Sequence, residues 1–333
     1  MERIFNNKLK IYYWASDERK NSGEGILANL FISDIKKYYT KYTLINTNNK
    51  KKNYKKFYNK YILNILGALK LWIYFFQGYK ILYVNYLPIW NFLIFFILPP
   101  KTIMGPITGS SIHNGNSLLN VFFRKYLFNL FEKISLLIVF YRQKKVLFST
   151  ELLKFNLKKS YRMRAYFNYA LSSFEGFLKQ RVKKIDFLIY HRIHDNKNNS
   201  LIKYFLENSM HKKLKIIVFG DRINSNNVHN MGYISRDKVK KLLTNAKFTF
   251  GSSENFYTFY VQDAISRNVV IFYDRNLKIF SNKINYNKII PLNFNNNEES
   301  LKIIFKNIKK KFAVTKKNYS IKKNYNEYFN QFS

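Results

Sequence analysis

A chain of 333 residues that is 47% apolar and 19% aromatic, with 32 Phe and 27 Tyr, is long enough for two packed domains and too apolar for disorder over most of its length. The absence of cysteine excludes a disulfide framework, zinc-cysteine and iron-sulfur centres and any thiol nucleophile, and it fits a reducing compartment. The net charge of +39 points to phosphate-bearing partners, although Lys, Asn, Ile, Tyr and Phe are inflated together, as codon bias alone would make them.

The amino terminus has no apolar run followed by a small-residue cleavage site, so no secretory signal is read. Leu9 to Trp14 predicts a strand and Ala15 to Glu24 a loop. Ile26, Leu27, Leu30, Phe31 and Ile35 have helical spacing. A strand at Tyr42–Ile45 leads into Asn46–Lys60, which reads as an exposed basic loop. A helix over Tyr61–Phe76, a strand at Ile81–Tyr86, an apolar helix at Leu87–Leu98 and a strand at Thr102–Ile107 follow. Next come a long helix over Leu118–Phe140, a strand at Lys145–Ser149 and a short helix at Glu151–Leu157. Met163–Leu178 reads as a connection. The alternation then resumes with strands at Asp186–Tyr190, Leu214–Phe219, Phe248–Gly251 and Val269–Tyr273. Helices at Asn199–Asn208, Arg236–Leu243 and Val261–Arg267 separate them. Such alternation implies parallel sheets with helices on both faces. In the basic tail from Lys316, Tyr325, Tyr328, Phe329 and Phe332 have near-helical spacing that suits packing back on the first half.

No apolar stretch reaches the roughly 18 to 20 residues a spanning helix needs. The apolar helices of the first half read equally as core helices or as an interfacial seat on an anionic bilayer.

Ligands of open parallel sheets bind beyond the carboxyl ends of the strands, which directs attention to three loops. Gly23-Glu24-Gly25 opens the first helix, where small residues admit a ligand to backbone N–H groups, although glycine before a helix is often conformational only. Arg192 and Lys197 stand five residues apart after the first strand of the second half, a spacing that lets both face a diphosphate; a solvated charged loop is the default alternative. Ser253-Glu254-Asn255-Phe256 follows a later strand, and Gln262-Asp263 opens the next helix, placing carboxylates where sugar or ribose hydroxyls would donate to them. His113, in the loop Gly109–Gly115, suits orienting an acceptor or donor oxygen, and reads equally as a surface histidine. His194 suits donor contact, simple solvation or, with His191, metal ligation.

The second half resembles the carboxyl-terminal domain of GT-B glycosyltransferases of the group 1, or family 4-like, retaining kind. The signals run in family order: His191-Arg192 with Lys197, Phe219-Gly220, Met231-Gly232-Tyr233, Ser252-Ser253, Glu254-Asn255-Phe256-Tyr257, and Asp263-Ala264 before Asn268. In the first half, Gly23-Glu24-Gly25 looks like the family's glycine-containing first loop, and Met104–Gly109 like the strand and loop that approach the acceptor in some members. The family's two acidic residues lie eight apart, whereas Glu254 and Asp263 lie nine apart, so the second position falls on Gln262 or Asp263.

The resemblance implies an α/β chain of two Rossmann-like, doubly wound domains with an interdomain cleft. Residues 1–165 would form the acceptor side, 166–315 the nucleotide-sugar domain, and 316–333 a tail. It further implies retaining transfer from a nucleoside diphosphate sugar to a saccharide or lipid-linked acceptor in surface polysaccharide or lipopolysaccharide assembly. Arg192, Lys197, Glu254 and His113 would be catalytic. Gly23, Gly25, His194, Ser253, Asn255, Phe256, Gln262 and Asp263 would bind the donor. No cofactor is expected and, with no Asp-x-Asp triplet in the chain, no metal. The expected location is cytoplasmic, with a peripheral seat at the inner face of the membrane. Two other classes fit the charge or the departures from the motif: a basic nucleic-acid-binding protein, and a GT-B protein that only binds saccharide.

Overall fold

A computed structural model describes residues 9–48, 57–109, 126–174, 178, 182–193, 199–209, 213–226, 228–252, 256, 258–277, 286–310, 312 and 325–332. Described residues through Ser172, joined by 325–332, form one compact unit, and those from Ser173 to Phe312 form a second.

The first unit is built on four parallel strands, β1 (Leu9–Trp14), β2 (Tyr42–Asn46), β3 (Lys80–Tyr83) and β4 (Ile103–Met104), in the order β2-β1-β3-β4. Ile11 pairs with Leu44 and Tyr13 with Leu82, which fixes the register. Ile81, Leu82 and Tyr83 are all buried, as expected of a strand covered on both faces. Helix α1 (Gly23–Tyr38) turns Leu27, Ala28, Phe31 and Ile35 to the core and is capped by Ser22, whose Oγ accepts from the Gly25 N–H.

Helices α2 (Phe57–Phe76), α3 (Phe92–Ile97) and α4 (Phe128–Arg142) follow. The steps from β2 to β3 and from β3 to β4 run in one direction across the sheet, opposite to the step from β1 to β2. Right-handed crossovers therefore place α2 and α3 on the face away from α1, and α4 packs beside α3.

Beyond α4, β5 (Val146–Leu147) pairs with β6 (Ala165–Tyr166), with a 3-10 turn at Leu152–Asn156 and the short α5 (Lys159–Arg162) between them. An isolated bridge from Ile107 to Phe148 joins this pair to the β4 segment. A tail helix, Asn326–Asn330, buries Tyr328 and Phe329 against Phe31 of α1, and the Tyr39 hydroxyl donates to the Phe329 carbonyl at 2.9 Å.

Several boundaries differ from the sequence expectation. α2 starts at Phe57, inside the expected loop. α3 starts only at Phe92, because Tyr86 is left-handed (φ 57°), Pro88 cannot donate to a helix, and Asn91 stands at the N-cap. Of the expected helix Leu118–Phe140, the portion before Tyr126 lies outside the described residues, and α4 runs on to Arg142. The expected connection Met163–Leu178 contributes β6 and a 3-10 turn at Tyr169–Ser173.

The second unit is a six-stranded, wholly parallel sheet. Its strands are β7 (Ile185–His191), β8 (Ile216–Gly220), β9 (Val228–Asn230), β10 (Ala246–Phe250), β11 (Val270–Asp274) and β12 (Ile289–Leu292), ordered β12-β11-β10-β7-β8-β9. Numbered within the unit, this is the doubly wound order 3-2-1-4-5-6. Helices α6 (Ser200–Asn208), α7 (Arg236–Asn245) and α8 (Phe259–Ser266) lie in crossovers, α9 (Asn297–Ile308) follows β12, and together they cover the sheet.

On one face, Phe187, Phe248, Phe250 and Phe272 form a plate of rings 5.3 to 6.2 Å apart from Phe187, packed with Phe205 of α6 and Ile304 of α9. On the other, Leu188, Ile217 and Ile271 meet Val239 and Leu243 of α7 and Ala264 and Ile265 of α8. Alternate residues of each strand thus feed two apolar layers, and the chain's excess of phenylalanine fills one of them.

Candidate functional site

The winding of the second sheet reverses between β7 and β10, and the loops leaving those two strands diverge there. Such a switch point is the default ligand position of a doubly wound sheet. β7 ends at His191, so the next residue at this edge is Arg192, whose side chain is exposed.

The loop that carries Arg192 is fastened on its far side by Asp221. One Asp221 carboxylate oxygen accepts from the Ile193 N–H at 2.6 Å, and the other accepts from the Tyr233 hydroxyl at 2.6 Å. The Asp221 N–H donates to the His191 carbonyl at 2.9 Å. These bonds to the charged form hold the Asp221 carboxyl below the usual carboxylate range, and the same pairing pushes the Tyr233 phenol up to about 12. Gly220 makes the close approach possible: its φ is +99°, and a Cβ there would lie 2.1 Å from the His191 carbonyl oxygen.

His191 itself is 1% exposed. Its Nδ1 lies 3.0 Å from the Asp221 carbonyl, so that nitrogen donates, and Nε2 is buried with no hydrogen-bond partner among the described residues.

The facing loop leaves β10 at Gly251 and Ser252. Tyr260 of α8 ties the two central strands together: its hydroxyl donates to the Leu188 carbonyl at 2.8 Å and lies 2.6 Å from Thr249 Oγ1. Thr258 caps α8 by accepting from the Val261 N–H at 3.3 Å. Residues on both sides of the switch point are therefore tied by hydrogen bonds.

Of the residues expected at the site, His113, His194, Lys197, Ser253, Glu254 and Asn255 lie outside the described residues. Phe256 is buried in the second unit, with its ring 5.5 Å from Tyr273. Gln262 is also buried, and its Oε1 accepts from Ser173 Oγ at 3.2 Å. Asp263, 3% exposed, accepts two hydrogen bonds from the Arg236 guanidinium, at 2.7 and 2.9 Å, and Arg236 in turn lies over the Phe259 ring. The fork-to-carboxylate pair joins α7 to α8.

Gly23 and Gly25 belong to the first unit. Gly23 is exposed with open space around it. Gly25 is buried, its N–H is taken by the Ser22 cap, and a Cβ there would lie 2.1 Å from the Arg19 carbonyl oxygen, so glycine is needed for the close approach. The β1–β3 switch point of that unit is closed by a polar lock: Asn85 Oδ1 accepts from Ser16 N and Oγ, and Asp17 accepts from Arg19 and Ser22. These bonds keep the Asp17 carboxyl below its ordinary range even though burial opposes them.

Asp17, Asn85, Asp221 and Arg236 were missed by sequence reasoning. A signal existed only for Asp221, which directly follows a strand-ending glycine. Among the described residues no three His, Asp or Glu side chains gather as a metal site.

No protein-family model matches the chain, and no curated protein matches it in sequence. Solved structures do match its fold. A protein of Listeria monocytogenes assigned as a UDP-N-acetylglucosamine 2-epimerase superposes with a TM-score of 0.53 at 9% identity, over 90% of this chain and 87% of that one. The UDP-GlcNAc 2-epimerase of Methanocaldococcus jannaschii, solved with UDP-GlcNAc and UDP, gives 0.50 at 12% identity over 91% and 93%. The fold is GT-B. A glycosyltransferase from Rickettsia africae is also similar, with a TM-score of 0.47 at 13% identity over 90% of this chain and 88% of that one. Within this GT-B chain the 3-2-1-4-5-6 order of strands and the loop bearing Arg192 both belong to the second unit.

Proposed function

We propose that the protein is a glycosyltransferase that moves a sugar from a nucleoside diphosphate sugar to a saccharide or lipid-linked acceptor, with retention and without a metal, in surface polysaccharide or lipopolysaccharide assembly. The observation that carries the reading is the β7–β10 switch point, where Arg192 stands between His191 and Ile193, both hydrogen-bonded to Asp221. In the transfer, the bond between the sugar's anomeric carbon and the diphosphate oxygen breaks. The acceptor hydroxyl oxygen bonds to that carbon, and its proton passes to the departing diphosphate oxygen. Negative charge builds on the leaving diphosphate, and fixed cations that need no reorganisation are the main electrostatic aid such a step can receive.

In this proposal Arg192 and Lys197 hold the diphosphate, and Ser253, Glu254 and Asn255 contact the donor. His194 stands beside the donor, and His113 orients an oxygen of acceptor or donor. Gln262 and Asp263 act from the buried start of α8, by holding Ser173 and Arg236, and Phe256 acts by packing the loop. Gly23 and Gly25 shape the first loop of the other unit.

Thermal shift against UDP, GDP, ADP and CMP and their sugars tests the reading. A ligand at 100 times its dissociation constant adds about 2.7 kcal/mol. UDP or GDP is expected to raise the melting temperature with EDTA present, and Arg192→Ala combined with Lys197→Ala to abolish the rise. An equal rise in the double variant removes these residues from the site. A second reading, epimerisation of a nucleotide sugar, takes its motive from the activity named for the superposing Methanocaldococcus protein. Product analysis separates the two, since transfer frees the nucleotide and epimerisation keeps it on the sugar.

A further inference from the structure

Soluble proteins leave single large apolar side chains exposed, but rarely in contiguous patches. Here the large exposed apolar residues are not scattered: eleven of the seventeen among the described residues lie on α2, α3, α4 or the turn leading into α4.

Their spacing is regular. On α2, Ile62, Leu66, Leu69, Ile73 and Phe76 recur every three or four residues, which places them on one side of the helix. On α4 and the turn before it, Tyr126, Leu130, Leu137 and Tyr141 repeat the pattern, and on α3 Leu93 and Phe96 are three apart. Each stripe on the two long helices covers about 20 Å at 1.5 Å per residue. The three helices share one side of the first sheet and pack together, while α1 and the tail cover the other side. Exposure rises toward the helix ends, with Phe76 at 76%, Phe96 at 70% and Tyr141 at 93%.

The charge on this face is one-sided. α2 and α3 contain no Asp or Glu, and α4 contains only Glu132, whose carboxyl is pushed up to about 7 by burial. Lys133 is exposed on α4. A groove of about 720 Å³ opens between α3, α4 and α5, with Phe96, Leu137 and Tyr141 in its walls beside Arg142 and Arg164. Both guanidinium groups donate to carbonyls at helix ends, Arg142 to Phe95 and Pro99 and Arg164 to Phe140 and Gln143, which fixes two positive charges at the groove.

We propose that the α2–α3–α4 face of the first unit is a docking surface for an anionic lipid bilayer. The aromatic ends and aliphatic stripes enter the acyl boundary, and the groove between α3 and α4 takes a lipid chain beneath its phosphate. Charge selects this occupant over a second copy of the chain. A twofold pairing would set this positive face against a second positive face, whereas an anionic headgroup layer neutralises Lys133, Arg142 and Arg164. No helix among the described residues is long and apolar enough to cross a membrane, so the contact is peripheral. The inference does not need the sugar-transfer reading, nor that reading it.

Co-sedimentation of the full chain with phosphatidylcholine vesicles, with and without phosphatidylglycerol, tests it. The protein is expected to bind the mixed vesicles. A variant carrying Phe76→Ser, Phe96→Ser and Tyr141→Ser keeps every charge and is expected to lose at least about tenfold in partition. Tyr141→Asp alone, at a side chain almost wholly in water, is expected to weaken binding in the same direction. Unchanged melting temperatures confirm that the variants fold. Failure of the unaltered protein to bind, equal binding by the triple variant, or a dimer in solution that the triple variant disperses would each overturn the proposal. Nucleotide-induced thermal shifts retained by the triple variant show that the two readings fail separately.

Discussion

Glu132 shows how much one side chain can reveal in a chain with few acids. It sits on α4 without an ion-pair partner among the described residues, and burial lifts its carboxyl from 4.5 to about 7. The folded protein therefore holds this proton more tightly than the unfolded chain does. Its contribution is most favourable below pH 4.5 and is lost as the pH rises through 7. Glu132→Gln removes the penalty while keeping the shape. The variant is expected to melt above the unaltered protein at pH 8, by on the order of 1 kcal/mol or about 2–4 °C because part of the side chain still meets water, and to match it at pH 4. A difference that stays constant across that range would place its origin elsewhere than in the proton. Legibility at this scale was uneven. Arg192 could be found because an apolar run ends immediately before it. Its support could not: Asp221 reaches Ile193 from 28 residues away, and only the left-handed Gly220 brings the two loops together. Asp263 was visible as a carboxylate but its partner Arg236 was not, since that bond depends on how α7 and α8 pack.

At the scale of elements, long apolar runs were legible and short or edge pieces were not. Both faces of β7, β10 and β11 are covered, so their runs of Phe, Ile and Val stand out. β9 has only Val228, His229 and Asn230 to show, and β12 contains Pro291, tolerated because β12 lies at the sheet edge with one neighbour. The tail was legible from its four aromatics, and its role can be measured. Tyr328 is fully buried, its hydroxyl donates to the Met104 carbonyl, and its ring meets Phe31 and Phe332. Gln331 adds two bonds to the Lys145 backbone, each of 2.8 Å. Replacing a buried aromatic ring by a methyl group costs about 3–5 kcal/mol. Tyr328→Ala is expected to lower the urea midpoint of the first unit accordingly, and Tyr328→Phe to cost about 1 kcal/mol, the worth of one hydrogen bond. If truncation before Tyr325 left that midpoint unchanged, the tail would be ornamental to the fold.

For the molecule as a whole the deciding quantity is charge, which composition announced and the fold had to accommodate. With 58 Lys and Arg against 19 Asp and Glu, most cations have no acid to meet. Some acids are also committed locally, Asp17 to Arg19 and Asp263 to Arg236, and burial shields the second pair from salt. The remaining positive surface repels itself and favours expansion. Screening relieves that repulsion: the Debye length falls from about 30 Å at 0.01 M to about 8 Å at 0.15 M ionic strength, below the spacing of many surface cations. Sodium chloride raised over this range is expected to increase the melting temperature by several degrees, on the scale of about 2–4 °C per kcal/mol. A fall with salt would mean that exposed ion pairs outweigh the repulsion. The same screening should weaken vesicle binding without abolishing it, because aromatic insertion at Phe76, Phe96 and Tyr141 does not depend on ionic strength, whereas binding through charge alone would vanish. Measured together, the two salt series separate a basic surface left by amino-acid usage from one that has an apolar face to place against lipid.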